Sequence, residues 1–161
     1  MDVPCPGCRL VMPHRPGLPP GGYYNMSPEC WSVYTEVLAA EYSNAPLFGQ
    51  VHQLTVDAYA AQHAGGPHPD KSVAVHLVGL YLVIERGLKS PEMPPRLQQL
   101  AESVREWPHF EAPKTDWPIT ILDVALADDH AAKVREWSGM VWRAWEAQHA
   151  AVAELALRAG A

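Results

Sequence analysis

The chain has 161 residues and a formal net charge of −6 at pH 7; 48% of the residues are hydrophobic and 19% are charged. These values predict a single globular domain, residues 1–161, and exclude an intrinsically disordered chain. Because the 12 lysines and arginines form no run or stripe, we expect no nucleic-acid partner.

The sequence contains no segment typical of export or of membrane insertion. Its beginning, MDVPCPGC, has no basic region followed by an apolar run, and no window approaches about 18 uninterrupted apolar residues. We therefore expect a cytoplasmic protein with no membrane partner. In that compartment the three cysteines are expected to be thiols or thiolate ligands, not a disulfide framework.

The first 26 residues hold six of the 16 prolines and four of the 11 glycines. We expect an ordered loop without regular structure, held by something other than its own backbone. Within it, Cys5 and Cys8 (CPGC) flank a Pro–Gly turn that can direct two sulfurs at one tetrahedral metal, so we predict a zinc knuckle. A thiol redox pair and two ordinary thiols are the alternatives. Redox pairs of this spacing are typical of a helix N-terminus after a strand, and the sequence predicts neither element here.

Three helices are predicted after this loop. Ser27 is suited to cap the first helix, and Asp70 or Ser72 to cap the third. From Val73 to Ile84 the third helix is apolar on almost every side, which predicts a central, buried position. The predicted limits are Pro28 to about Tyr42, Leu47 to the Gly/Pro-rich stretch 64–70, and Ser72 to Gly87.

The remainder of the chain predicts one shorter helix, one short turn of helix and one long helix. Thr120 can cap the short turn, with Asp123 three residues on. No convincing alternating strand pattern is present, so the predicted class is all-α: a compact bundle of five to six helices with an irregular N-terminal metal-binding loop. The predicted limits are Leu97 to about Glu106, residues 120–127, and Asp128 or Asp129 to about Arg158.

Cys30 and His63 are the candidates to complete the metal site. Cys30 lies in the first turn of its helix, where the unpaired backbone N–H groups favour a thiolate. If the first two helices pair antiparallel, Cys30 comes level with residues near 59 to 63, and His63 is then well placed. The predicted ligands are Cys5, Cys8, Cys30 and His63, with zinc as the metal.

Two other histidines, His52 and His76, are candidates for the same site. His52 precedes His63 by eleven residues, about 16 Å along the axis, so the two cannot bind one metal on a straight helix. His76 comes level with Tyr59 across the next turn, and it remains the alternative fourth ligand or a neighbour of the site.

Other polar and aromatic residues carry less specific signals. Asp57 and Tyr59 are interpreted as an exposed carboxylate and a hydrogen-bonded tyrosine, with catalysis as the alternative. His68 and His130 are expected at the surface. On the last helix, one face carries Trp142, Trp145 and His149, with Trp137 beside them. Aromatic residues at this helical spacing predict packing in the core. The functional alternative is a pocket lined by the tryptophans, with His149 at its rim.

Two main hypotheses for function follow, with a small molecule or a protein as the partner. The first is a binding or regulatory protein in which zinc is mainly structural. The second is a hydrolytic zinc enzyme with an open coordination position, in which Asp57 or His76 acts as base. Thiol redox chemistry at CPGC is a weaker alternative. No phosphate-binding loop, GxSxG or HExxH motif is present to support other mechanisms.

Several motifs together resemble a known family. They are CPGC (5–8), SPECW (27–31), VHQLTVDAYAAQH (51–63), SVAVHL (72–77), ITILDVALA (119–127) and VREWSGMVWRAWEAQH (134–149). In these segments the chain resembles an uncharacterised bacterial family, the domain of unknown function DUF5946. The resemblance implies a bacterial, cytoplasmic protein in which the cysteines and the DAYAxQH segment belong to one design. It implies no particular activity.

Overall fold

A computed structural model describes residues 1–161 and confirms the all-α class. The chain forms seven α-helices and two short 3-10 helices, Ser90–Glu92 and Glu146–Gln148. None of the helices combines the length and the apolar character that crossing a membrane would require. The α-helices are α1 (Pro28–Tyr42), α2 (Ala45–Gln62), α3 (Asp70–Ile84), α4 (Met93–Ser103), α5 (Ile121–Leu126), α6 (His130–Ala144) and α7 (His149–Arg158).

The N-terminal loop contains a small hairpin that the sequence did not predict. Strands β1 (Asp2–Pro4) and β2 (Val11–Pro13) pair antiparallel, and the CPGC segment lies in the turn between them. The backbone N–H of Cys5 donates to the carbonyl of Leu10 at 2.8 Å. Each strand has only three residues, which is too short to produce the alternation by which a strand is recognised in sequence.

The helix caps agree with the prediction for α1 and α5 but not for α3. Ser27 caps α1 by accepting a hydrogen bond from the backbone N–H of Cys30, and Thr120 forms a capping box with Asp123 at α5. At α3 the prediction was wrong, because the N-cap residue is Pro69 and no side chain caps the helix. Ser72 instead bonds to His68.

Helix α4 begins four residues earlier than the sequence predicted, at Met93, and ends at Ser103. Pro94 and Pro95 therefore lie inside the first turn of the helix. A first-turn residue needs no backbone N–H for the helical ladder, so prolines are tolerated there.

Helix α2 lies at the centre of the bundle and packs against α1, α3 and α6. The prediction that α3 is central is also supported, since most of its apolar residues are buried: Val73, Ala74, Leu77, Val78, Leu80 and Leu82. Each large side chain buried in this way contributes about 1.5–3 kcal/mol to the free energy of folding. The α2–α3 contact is therefore a major part of the core.

The predicted long C-terminal helix is interrupted at Trp145. The carbonyl of Trp142 accepts hydrogen bonds from the backbone N–H of Trp145 at 3.0 Å and from Nε2 of His149 at 2.7 Å. The buried indole of Trp145 donates to the carbonyl of Ala61 on α2 at 3.2 Å. The chain therefore leaves the α-helical path at this residue and resumes it in α7, which packs on α3.

A fully buried carboxylate, Glu41, connects three helices. One of its oxygens accepts from Nδ1 of His52 at 2.9 Å, and the other accepts from the hydroxyl of Thr55 at 2.6 Å and Nε2 of His130 at 2.7 Å. The expectation that His130 is a surface residue was wrong, because its imidazole is only 19% exposed and bonds to Glu41. His52 is likewise committed to this carboxylate.

We predict that Glu41→Gln destabilises the protein. The NH2 group of glutamine would replace one of the two acceptor oxygens. Because both oxygens accept hydrogen bonds, this NH2 donor would face another donor. Such a loss of pairing costs about 1–3 kcal/mol in the free energy of unfolding. The measurement is the urea midpoint. The matched control is Glu36→Gln, an exposed residue of the same helix, for which a change within about 0.5 kcal/mol is expected. Equal midpoints for the two variants would contradict the prediction.

Candidate metal centre

Four side chains from three separate parts of the chain meet in one buried group. One ligand atom from each of Cys5, Cys8, Cys30 and His63 lies within 4.8 Å of every other, and all four residues are at most 1% exposed. This group could hold a metal ion. These are the same four residues that the sequence suggested as ligands.

Local structure explains how each donor reaches the group. The turn of the β1–β2 hairpin carries Cys5 and Cys8. Cys30 is in the first turn of α1, fixed by the hydrogen bond from its N–H to the Ser27 hydroxyl at 3.2 Å. His63 is the C-cap residue of α2. Because α1 and α2 pair antiparallel through the short connection after Tyr42, the start of one helix lies beside the end of the other.

The distances within the group suit one shared tetrahedral ion. The sulfurs of Cys8 and Cys30 are 3.8 Å apart, and the Cys30 sulfur is 3.4 Å from Nε2 of His63. All three cysteines are free of disulfides, in which sulfurs are only about 2.05 Å apart. A zinc ion that binds sulfur at about 2.3 Å and imidazole at about 2.0 Å separates sulfurs by about 3.8 Å and sulfur from nitrogen by about 3.5 Å.

The imidazole of His63 is held in the tautomer that a metal requires. Its Nδ1 lies 2.7 Å from the carbonyl oxygen of Tyr59. A carbonyl oxygen can only accept, so Nδ1 carries the proton and Nε2 presents a lone pair to the sulfurs. Metal-bound histidines commonly have their second nitrogen fixed in this way.

Two hydrogen-bond donors face the sulfurs from outside the group. The backbone N–H of Ser27 donates to Cys5 at 3.4 Å, and the hydroxyl of Tyr59 donates to Cys30 at 3.4 Å. Burial raises the pKa of Tyr59, as does the nearby Cys30, so this hydroxyl keeps its proton. Tyr59 is therefore a hydrogen-bonded tyrosine whose partner is a sulfur.

The three thiols do not ionise independently. Hydrogen bonds from Cys30 and Cys8 hold the pKa of Cys5 well below its ordinary value. For Cys8 the hydrogen bond with Cys30 lowers the pKa, but the hydrogen bond with Cys5 and burial raise it to about 12. Hydrogen bonds with Cys5 and Cys8, together with burial, raise the pKa of Cys30. The charge on one thiolate thus opposes ionisation of the next thiol, and full ionisation of all three requires a cation.

His76, the alternative ligand, lies outside this group and bonds to a different residue. Its Nδ1 is 2.7 Å from Oδ1 of Asp57, and its Nε2 is 3.3 Å from the hydroxyl of Tyr24. Asp57 is fully buried, so the expectation of an exposed carboxylate was wrong. Burial raises the pKa of Asp57, while hydrogen bonds from His76 and Gln53 oppose the rise. Tyr24 and Gln53 carried no signal in the sequence, because one lies in the irregular loop and the other is a common helix residue.

His68 is buried, contrary to the expectation that it would be exposed. Its Nδ1–H donates to the carbonyl of His63 at 2.9 Å, and its Nε2 accepts from the hydroxyl of Ser72 at 2.7 Å. Burial lowers the pKa of His68 to about 4, although the bond to His63 opposes this. A neutral imidazole therefore fastens the loop before α3 to the end of α2.

The aromatic residues of the C-terminal helices are part of the core. Trp137, Trp142 and Trp145 are at most 2% exposed. His149 stacks on Trp142 with ring centroids 3.8 Å apart, and the Trp142 indole donates to Glu85 at 2.7 Å. None of these residues contributes to the Cys/His group.

Comparison with known proteins identifies the family. The model of the Family of unknown function (DUF5946) matches residues 3–146, which include all four members of the Cys/His group. No curated protein and no solved structure matches the chain. The family predicted from the sequence is thus confirmed, and the chain belongs to the DUF5946 family.

Proposed function

We propose that this protein is a zinc-binding helical protein in which Cys5, Cys8, Cys30 and His63 hold a mainly structural metal. We further propose that it serves as a binding or regulatory module in the cytoplasm. One observation carries the proposal: three sulfurs and one imidazole nitrogen converge within 4.8 Å in a fully buried position. Ordinary core cysteines would not be expected to converge on one position together with the lone pair of an oriented histidine.

The chemistry of the donors favours zinc. Three thiolates and one imidazole form a soft, tetrahedral set of the kind that structural zinc sites use. Sites built for magnesium or calcium use oxygen ligands instead. The hydrogen bonds from Ser27 and Tyr59 to two of the sulfurs further support bound thiolates, since second-shell donors are typical of metal sites.

The same geometry favours a structural role over the hydrolytic alternative. The protein supplies four donors, which fills a tetrahedral zinc site, whereas catalytic zinc sites keep one position for water. The redox alternative has less support as well. Cys5 and Cys8 are at most 1% exposed, and an attacking thiol needs access to one of the two sulfurs.

A structural metal would join the N-terminal loop to the ends of α1 and α2. The partner on the remaining surface is proposed to be a small molecule or a protein, since the net charge of −6 does not favour nucleic acid. Three reduced thiols also suit the cytoplasm, where disulfides are rare.

We predict that the purified protein contains about one zinc ion per chain and that Cys30→Ser and His63→Ala each lose most of it. Elemental analysis of protein prepared without added metal measures this content. His76→Ala is the matched control, because His76 is a partly buried histidine outside the group, and it should retain the metal. X-ray absorption at the zinc edge should show three sulfur ligands, one nitrogen ligand and no water.

Several results would contradict this proposal. Protein that contains no metal and is fully stable would reject any metal role. Full zinc content in Cys30→Ser would reject the ligand assignment. A bound water in the absorption spectrum would favour the hydrolytic alternative.

Chelation should lower the unfolding temperature, because binding energy at a structural site is folding energy.

We also predict that Gly7→Ala opens the site. A Cβ atom at this position would collide with the carbonyl oxygen of Asn25 and would lie 2.8 Å from the imidazole of His63. Such overpacking typically costs about 1–3 kcal/mol. The measurement is the rate at which the thiols of the native protein react with a disulfide reagent, which should rise.

Gly49→Ala is the control for this substitution. Gly49 lies within α2, and an added Cβ would meet no atom within 4 Å. Alanine is favoured over glycine in a helix by about 1 kcal/mol, so thiol reactivity should stay at the parent rate. A Gly7→Ala protein that reacts at that same rate would show that the CPGC turn does not pack tightly on α2.

A further inference from the structure

Asp57 and His76 form a buried pair that the proposed metal site does not use. Asp57 is fully inaccessible in the contact between α2 and α3. The space for its carboxylate exists because residue 79 of α3 is a glycine, and any Cβ there would collide with the carboxylate. A buried carboxylate is costly, and an aliphatic residue would suit a helix contact better. Apolar packing alone therefore does not account for the pair.

The hydrogen bonds of the pair fix the imidazole in one state. The side-chain amide of Gln53 donates to both oxygens of Asp57 at 3.0 Å. Burial raises the pKa of Asp57, and the hydrogen bonds from Gln53 and His76 oppose that rise. When Asp57 is ionised, the proton between it and His76 belongs to Nδ1 of the imidazole, 2.7 Å away. Nε2, on the other edge of the ring, is left with a lone pair that accepts the hydrogen bond of the Tyr24 hydroxyl at 3.3 Å.

A cleft of about 340 Å³ lies beside His76, which forms part of its wall. This volume is within the range of small-molecule sites. The hydroxyl of Tyr24, which is not part of this wall, is 3.3 Å from Nε2 of His76, at the long end of hydrogen-bond distances. The wall also includes Tyr23, Lys71, Ser72, Val75 and Ala101.

We propose that this cleft is a hydrolytic acid–base site for small carboxylic esters, independent of the metal centre, with His76 as the catalytic base. The apolar part of the ester would lie against Val75 and Ala101. Lys71, which is exposed at the cleft, favours an ester that also carries a carboxylate.

The step balances with water as the only co-reactant. Nε2 of His76 takes a proton from water as the water oxygen forms a bond to the carbonyl carbon. The carbonyl oxygen becomes an oxyanion, to which the Tyr24 hydroxyl donates once water has taken its place at Nε2. The C–O bond to the alcohol then breaks, and the alcohol leaves with the proton from Nε2. The products are a carboxylic acid and an alcohol.

Asp57 and Gln53 are positioning residues in this scheme. Asp57 holds the tautomer of His76 and stabilises the imidazolium that forms, and Gln53 orients Asp57. The titratable groups that face His76 from the surrounding elements are Asp57 on α2, Tyr24 in the N-terminal loop and His68 before α3.

The test is hydrolysis of 4-nitrophenyl acetate and of the mono-4-nitrophenyl ester of succinic acid by the full-length protein. We expect turnover above that of buffer, with a higher kcat/KM for the succinate ester. His76→Gln should lower kcat/KM by about 100-fold. His109→Gln is the matched control, because His109 is an exposed histidine, 63% accessible, outside the cleft, and its rate should equal that of the parent.

Two further variants separate catalysis from structure. Tyr24→Phe removes only a hydroxyl and should lower kcat by about 100-fold with little change in KM. Asp57→Asn should move the acid limb of the pH–rate profile to lower pH, since an imidazolium forms less readily beside a neutral amide. Circular dichroism and zinc content, measured on each variant, report folding and the metal centre separately.

Specific results would overturn the proposal. A parent protein no faster than buffer on both esters would reject it, as would an unchanged rate in His76→Gln or Tyr24→Phe. Loss of the activity in His109→Gln would assign hydrolysis to a surface imidazole. Because the cleft shares no residue with the Cys/His group, failure here leaves the zinc proposal standing, and absence of zinc leaves this one standing.

Discussion

The structure depends on placing three sulfurs and an imidazole where no water reaches them. In a buried position thiols oppose one another's ionisation, and three thiolates within 4.8 Å of each other need a cation to be stable. Bringing these groups together requires that a loop rich in proline and glycine become ordered, and this ordering costs about 1–2 kcal/mol per residue in backbone entropy. Other contacts contribute to that ordering. Glu29, for example, accepts from the backbone of Arg15 and bonds to His14, each at 3.0 Å.

Helix α2 shows how polar residues can determine the arrangement of an apolar bundle. Each buried polar side chain on it bonds to a different neighbour: Thr55 to Glu41 of α1, Asp57 to His76 of α3, and Gln62 to the indole of Trp137 of α6. Every buried polar side-chain atom in the chain has a hydrogen-bond partner. A rotation or a slide of α2 would leave several of these groups unpaired, each at a cost of about 1–3 kcal/mol. The apolar contacts supply the stability, and these pairs restrict the helices to one register.

The parts that could be predicted from sequence are those that local rules determine. The caps at Ser27 and Thr120 follow from side chains close in sequence, and His63 beside Cys30 follows from the antiparallel pairing of two helices with a short connection. The errors concern residues whose surroundings come from distant parts of the chain. Asp57 is buried because Gly79 leaves space for it, His130 because Glu41 lies opposite, and the last helix ends at Trp145 because that indole bonds to Ala61. No pattern within a short window contains those partners.

Tyr24 lies between the Cys/His group and the Asp57–His76 pair. Its ring packs near Tyr59, with centroids 5.9 Å apart, and Tyr59 donates to the Cys30 sulfur, while the Tyr24 hydroxyl reaches His76. Asp57 and His76 belong to helices that pack on each other without the N-terminal loop, whereas Tyr24 lies in that loop. A metal that orders the loop would therefore place the Tyr24 hydroxyl without altering the Asp57–His76 pair.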